Sequence, residues 1–315
     1  MTMAGRPTLL VEGIDHAARR ISGTRLLRYS KAMRSVGSQK GARYDYSGPK
    51  RRLLRVTSND GVRIGLYASG SGRPLLLVHG TGATSTRWAS VLPGLSQHFR
   101  VYAMDRRGRG ESGDNIRYHV RREAEDIAAV LQRIGEPTVV LGHSYGALCA
   151  LEASLLVPPD KLILYEPPLG NTVLPPPDDG LVENLRMLLD EGEYEAVLIM
   201  FLLHMTEVSD EELKHMMSLP SWTARVEAAN TIPREFLAQQ TYWLSPDVER
   251  MYAPTLLMTG SNSHHAFRDG IERLALALPD HGIATLRGQR HVAMDTAPDL
   301  FVELVLTFLA DHNGC

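Results

Sequence analysis

The sequence predicts an α/β protein: a mostly parallel sheet flanked by helices, with a helical insertion near its middle and a basic extension in front. Three observations carry this. After residue 50, short β-branched or Leu-rich runs alternate with longer helical patterns, as βαβ units require. Strand-like runs stop at Pro167 and resume only after about Tyr252. The first 55 residues hold 13 basic and 3 acidic side chains, whereas the rest of the chain holds 21 and 33. The expected divisions are the extension at 1–50, core segments at 51–166 and 253–315, and a helical cap at 167–252.

The elements follow in order. Arg51–Thr57 and Val62–Ala68 flank Asp60-Gly61 and read as a hairpin. Leu75–His79, Val101–Asp105, Val139–Gly142 and Lys161–Tyr165 are compact apolar runs, the pattern of strands covered on both faces. Helices are expected between them at Ser85–Gln97, Val120–Ile134 and Tyr145–Leu156. Leu181–Glu191, Tyr194–Met205, Asp210–Met217 and Arg234–Tyr242 repeat apolar residues at three- and four-residue spacing and form the insertion. Pro254–Thr259, Ala266–Ala277, Ile283–Leu286 and Asp299–Ala310 then resume strand and helix. The insertion reads as a lid over a site at the C-terminal edge of the sheet.

With 315 residues, 43% apolar and 22% charged, the chain has enough aliphatic content for a core and is not disordered throughout. No run nears the ~18 apolar residues of a membrane span. Leu9-Leu10-Val11 is too brief for a signal-peptide core, so a cytoplasmic location is expected. Cys149 and Cys315 are too few for a disulfide framework or a four-ligand zinc site. The basic extension fits nucleic acid, anionic lipid, or the acidic surface of its own chain or of a second subunit. No known nucleic-acid-binding motif accompanies the charge, so nucleic acid is not expected, and a homodimer is kept as a candidate assembly. Leu9–Ser35 has a partial apolar helical face, broken at Gly23, that suits such packing.

Val139-Val140-Leu141-Gly142-His143-Ser144-Tyr145-Gly146-Ala147 is the most informative stretch. Gly142 and Gly146 remove side chains that would collide across a sharp strand-to-helix turn. The turn lifts the Ser144 hydroxyl clear of the strand and aims a helix N-terminus at it. An ordinary turn is the plainer reading, but the apolar strand before it and the helix after it favour a nucleophile.

On these residues the sequence resembles the α/β-hydrolase superfamily from about residue 53 to the C-terminus. Leu77-Val78-His79-Gly80-Thr81-Gly82 with Trp88, then Asp105-Arg106-Arg107-Gly108-Arg109-Gly110-Glu111-Ser112, the serine turn and His291 fall in the family's order. The resemblance implies an oxyanion hole from the backbone N–H groups of Thr81 and Tyr145, and a structural role for Asp105–Ser112. That turn also explains the near match of Gly108–Gly113 to a dinucleotide fingerprint. Among 12 histidines, His291 alone follows the last strand and precedes the last helix, and it is the expected general base. His204, His215, His264 and His265 lack that order, and His143 sits inside the turn.

The third member departs from the commonest pattern. Relatives place an Asp after the strand that matches Pro254–Thr259, where this chain reads Gly260-Ser261-Asn262-Ser263. Glu166, at the end of the preceding strand, is the favoured acid, as in haloalkane dehalogenases. Asp269, or no strong acid at all, are the alternatives. A serine nucleophile implies an acyl-enzyme and needs neither metal nor organic cofactor. The expected activity is hydrolysis of a carboxylic ester, lactone or related acyl bond in a small or medium-sized apolar substrate, with Met200, Met205 and Trp243 in the pocket wall. Carbon–carbon hydrolysis, acyl transfer, lyase or cyclase chemistry, or ligand binding without catalysis are the competing readings.

Overall fold

One eight-stranded sheet organises residues 50–169, 180–206 and 208–310, which the computed structural model describes. Nearly all of the basic extension, the proline-rich patch at 175–177 and Cys315 lie outside the described residues. The strands are β1 (Arg52–Thr57), β2 (Arg63–Ser69), β3 (Pro74–Val78), β4 (Arg100–Met104), β5 (Val139–His143), β6 (Lys161–Tyr165), β7 (Thr255–Gly260) and β8 (His281–Leu286). Their spatial order is β1-β2-β4-β3-β5-β6-β7-β8. The β1–β2 and β2–β4 pairs are antiparallel, and every other pair is parallel. Gly61 turns the first hairpin at φ +85°, a backbone angle that suits glycine.

Strands β3, β5, β6 and β7 are buried along their whole length. Alternate residues supply opposite faces. Leu76, Val78, Val140, Leu162 and Leu164 join one apolar cluster, while Leu75, Leu77, Val139, Leu141 and Ile163 join the other. On the first face lie α2 (Val120–Ile134), α3 (Tyr145–Ser154) and α9 (His265–Ala277); on the second, α1 (Leu92–Leu95) and α11 (Pro298–Ala310), with α10 (Ala293–Thr296) leading into it. This two-faced burial is why the sequence shows continuous apolar runs there.

The helix expected at Ser85–Gln97 is instead a 3-10 turn, Ser85–Trp88, followed by the one-turn α1. Pro93 has no N–H to donate, so it stands in the first turn of a new helix and not in the middle of a longer one. Between β6 and β7, the described residues form α4 (Gly180–Asp190), α5 (Tyr194–Met205), α6 (Asp210–Ser218), α7 (Trp222–Glu227) and α8 (Ile232–Gln240), with two 3-10 turns and no strand. Helix α7 is too short and polar to show in the periodicity. The insertion has its own apolar cluster, and α5 is buried on nearly every side within it. A Cβ on Gly82, just after β3, would stand 2.8 Å from Leu198, so α5 rests directly on the loop at the sheet's C-terminal edge. No helix among the described residues is long and apolar enough to cross a membrane.

Candidate active site

Strand β5 ends at His143 and α3 begins at Tyr145, leaving Ser144 at the bend with φ +54° and ψ −127°. Ser144 and Glu166 are the non-glycine residues with positive φ among the described residues. Each such conformation costs about 1–3 kcal/mol and persists where its surroundings impose it. The Ser144 N–H donates to Tyr165 O at 2.8 Å, and its carbonyl accepts from Ala147 N at 2.8 Å and Leu148 N at 3.2 Å. Neither flanking glycine could carry a side chain. A Cβ on Gly142 would meet Ala147 Cα at 2.5 Å, and one on Gly146 would meet the Val78 and His79 carbonyls at 2.3 Å.

Glu166 follows β6 at φ +49°, and its N–H donates to Met258 O at 3.1 Å. Its carboxylate is fully buried and hydrogen-bonded at both oxygens. Oε1 accepts from Thr259 Oγ1 at 2.8 Å and Gly260 N at 2.7 Å, while Oε2 faces His291 Nδ1 at 2.6 Å. A carboxylate at Nδ1 selects the tautomer protonated there and leaves Nε2 as the basic atom. Phe267 stacks on the His291 ring at 4.2 Å and 13°, and His143 Nε2 donates to the His291 carbonyl at 2.8 Å. Burial, with help from His291 and Arg87, lowers the His143 pKa well below its ordinary value, so this ring stays neutral. Asp269 lies exposed on α9. The loop after β7 contributes a backbone N–H to Glu166 where many relatives would contribute the acid.

Ser144, His291 and Thr81 line one narrow, partly open cavity of about 20 Å³. Phe201, Leu202 and Thr206 cover it from the insertion, Val292 adds an apolar wall, and Arg87 and Arg225 add charge. Larger hollows near Glu111 contain neither Ser144 nor His291. Thr81 follows Gly80, whose absent Cβ would stand 3.0 Å from Ser144 Cβ. Tyr145 is the first residue of α3 and is buried, so its N–H has no acceptor within the helix.

The expected wall residues lie elsewhere. Met200 and Met205 are buried in the insertion's own cluster, and Trp243 is 70% exposed. Helix α5 is apolar all round, so periodicity gave it no direction, and its neighbours Phe201 and Leu202 reach the cavity instead. Arg87, Arg225 and Phe267 escaped sequence reasoning as site residues. Nothing in a lone arginine announces burial, so Arg225 carried no signal in the sequence.

Residues 75–304 match the Alpha/beta hydrolase family. The crystal structure of an alpha/beta hydrolase from Sphaerobacter thermophilus is similar with 32% identity and a TM-score of 0.71, covering 81% of this chain and 100% of that one. A thermophilic esterase from Thermogutta terrifontis shares the fold at a TM-score of 0.67 and 19% identity, covering 82% of this chain and 98% of its own. A protein of Agrobacterium fabrum, provisionally named carbamate hydrolase RutD, is 24% identical over 244 residues, 75% of this chain and 92% of its own length. With the family match spanning most of the sheet and the whole insertion, the chain belongs to the alpha/beta hydrolase family.

Proposed function

We propose that this chain is a serine hydrolase that cleaves a carboxylic ester, lactone or closely related acyl bond through an acyl-enzyme. Relatives named as hydrolases and esterases support hydrolysis in general. The observation that carries the finer reading is the Glu166–His291 contact at 2.6 Å, in a ring that shares one small cavity with Ser144. His291 Nε2 takes the Ser144 proton as Oγ attacks the carbonyl carbon, and Glu166 stabilises the imidazolium that forms. The backbone N–H groups of Thr81 and Tyr145 receive the developing oxyanion, each worth roughly 3 kcal/mol. The proton passes to the departing alcohol, and water then releases the acyl group with the same base. Phe201, Leu202 and Val292 form the apolar surface for a short acyl chain, and the insertion at 167–252 acts as the cap.

The test is a fluorophosphonate probe with p-nitrophenyl butyrate as substrate, on the intact chain and on Ser144→Ala. The expected result is labelling and turnover in the first, with both lost in the variant and kcat down by about 10⁴-fold or more. A wild-type chain that takes no label would overturn the serine assignment.

A further inference from the structure

Arg225 stands out among the groups around the cavity. It lies on α7, is only 4% exposed, and lines the same space as Ser144. Among the described residues it makes two hydrogen bonds, Nε to Gly82 O at 3.0 Å and Nη1 to the Met216 sulfur at 3.1 Å. A thioether is a weak acceptor, and Nη2 makes no hydrogen bond among the described residues. No carboxylate among them pairs with it. Asp295, the acid whose charge acts on Arg225, is engaged by Arg87, whose other terminal nitrogen reaches Met294 Sδ at 2.8 Å. Arg87 and Asp295 cancel, so Arg225 leaves one uncompensated positive charge at the cavity.

The Arg225 guanidinium carbon lies 5.9 Å from the centre of the Trp222 ring, but a buried charge without a counter-ion is costly, and buried guanidinium groups are ordinarily matched by carboxylates in bidentate pairs. Burial, reinforced by Arg87 and only partly offset by Asp295, lowers the Arg225 pKa to about 9. The group still carries its proton at neutral pH. A second cation would be repelled here, and a purely apolar occupant would leave the charge uncompensated. An anion would satisfy the idle nitrogen and balance the charge together.

Resting on the serine mechanism above, we propose that Arg225 is an anion subsite and that the substrate's acyl chain ends in a carboxylate: a short dicarboxylic half-ester, not a neutral alkyl ester. The placement on the acyl side follows from the order of events. The alcohol leaves first, whereas the acyl group stays bonded to Ser144, which lines the same cavity as Arg225, until water releases it. Phe201 and Leu202 then contact the methylene stem, and Arg225 holds the far end.

The experiment compares kcat/KM for mono-p-nitrophenyl glutarate and for neutral p-nitrophenyl pentanoate, in the wild type and in Arg225→Gln. The ratio of the two is the readout, because Arg225 also holds the Gly82 carbonyl beside Thr81 and its loss can slow both esters alike. The expected result is a wild-type preference of about tenfold or more for the anionic ester, collapsing toward unity in R225Q. A ratio unchanged by the substitution, or a wild-type preference for the neutral ester, overturns the subsite. Binding of monomethyl glutarate and dimethyl glutarate to Ser144→Ala, measured by calorimetry, separates the two proposals. Preferential binding of the monoanion, weakened about tenfold or more by adding R225Q, upholds the subsite even if no ester turns over. Turnover without that preference upholds the serine mechanism and sinks the subsite.

Discussion

At Glu166, three donors converge on one carboxylate, and only one of them takes part in the proposed mechanism. Thr259 and Gly260 hold Oε1, leaving Oε2 for His291. Glu166→Gln keeps an oxygen for the two structural donors but sets an amide N–H against Nδ1–H. His291 must then adopt the other tautomer, with its proton where the base should be. The expected effect is a fall in kcat of about 10³- to 10⁴-fold with the phosphonate reaction slowed in step; a change below about threefold would remove Glu166 from the mechanism. Ser144, Glu166 and His291 could be singled out as candidates because each sits at a strand end or turn that the sequence marks; the fold places Ser144 and His291 on one cavity and Glu166 against His291. Asp269 could be set aside only once α9 placed it in solvent. Arg225 was illegible for a related reason, since its role depends on what covers it and not on its neighbours in sequence.

At the level of elements, the bend between β5 and α3 depends on how closely that helix approaches β3. Gly146 sets the distance. An added methyl would sit 2.3 Å from two carbonyl oxygens of β3 and the residue after it, and backbone cannot swing aside as a flexible side chain could. Gly146→Ala should cost about 1–3 kcal/mol of stability through overpacking, read as a lower urea midpoint at unchanged slope. Displacing α3 also moves Ser144 and the Tyr145 N–H, so kcat should fall with it. The strands β3, β5, β6 and β7 were readable because burial on both faces leaves an uninterrupted apolar run. The same continuity hid the orientation of α5. A helix surrounded by apolar contacts carries no sequence signal of which side faces the cavity, which is why Phe201 and Leu202 replaced Met200 and Met205 as its lining.

Across the whole molecule, core and insertion are joined by a buried ionic network. Arg106 reaches Glu123 on α2 at 2.9 Å, Glu235 on α8 at 2.9 and 3.0 Å, and the Gly80 carbonyl at 3.2 Å. Arg109 also pairs with Glu235, and the Arg106 guanidinium lies 4.9 Å from the centre of the Tyr145 ring. The set holds two cations and two anions, all fully buried at their side chains. Removing one anion therefore leaves an unmatched charge in low dielectric. Glu235→Ala should destabilise the chain by about 3–5 kcal/mol, whereas Arg234→Ala, which removes a partly exposed pair with Asp114, a bond to the Arg107 carbonyl at 3.3 Å and a stack 4.4 Å from the centre of the Tyr118 ring, should cost less, about 1–2 kcal/mol. Urea midpoints for the two variants would test the difference, and equal shifts would count against the network as the tie between the two parts. Acid supplies a second arm. Burial alone would raise the Glu235 pKa, but Arg106 and Arg109 hold it below the ordinary 4.5. A carboxyl with a depressed folded pKa contributes its stability above the unfolded value and loses it as pH falls through the folded one. The gap between wild type and Glu235→Ala should thus be full at pH 7 and begin to close only below about pH 4.5, as the unfolded chain takes up the proton first.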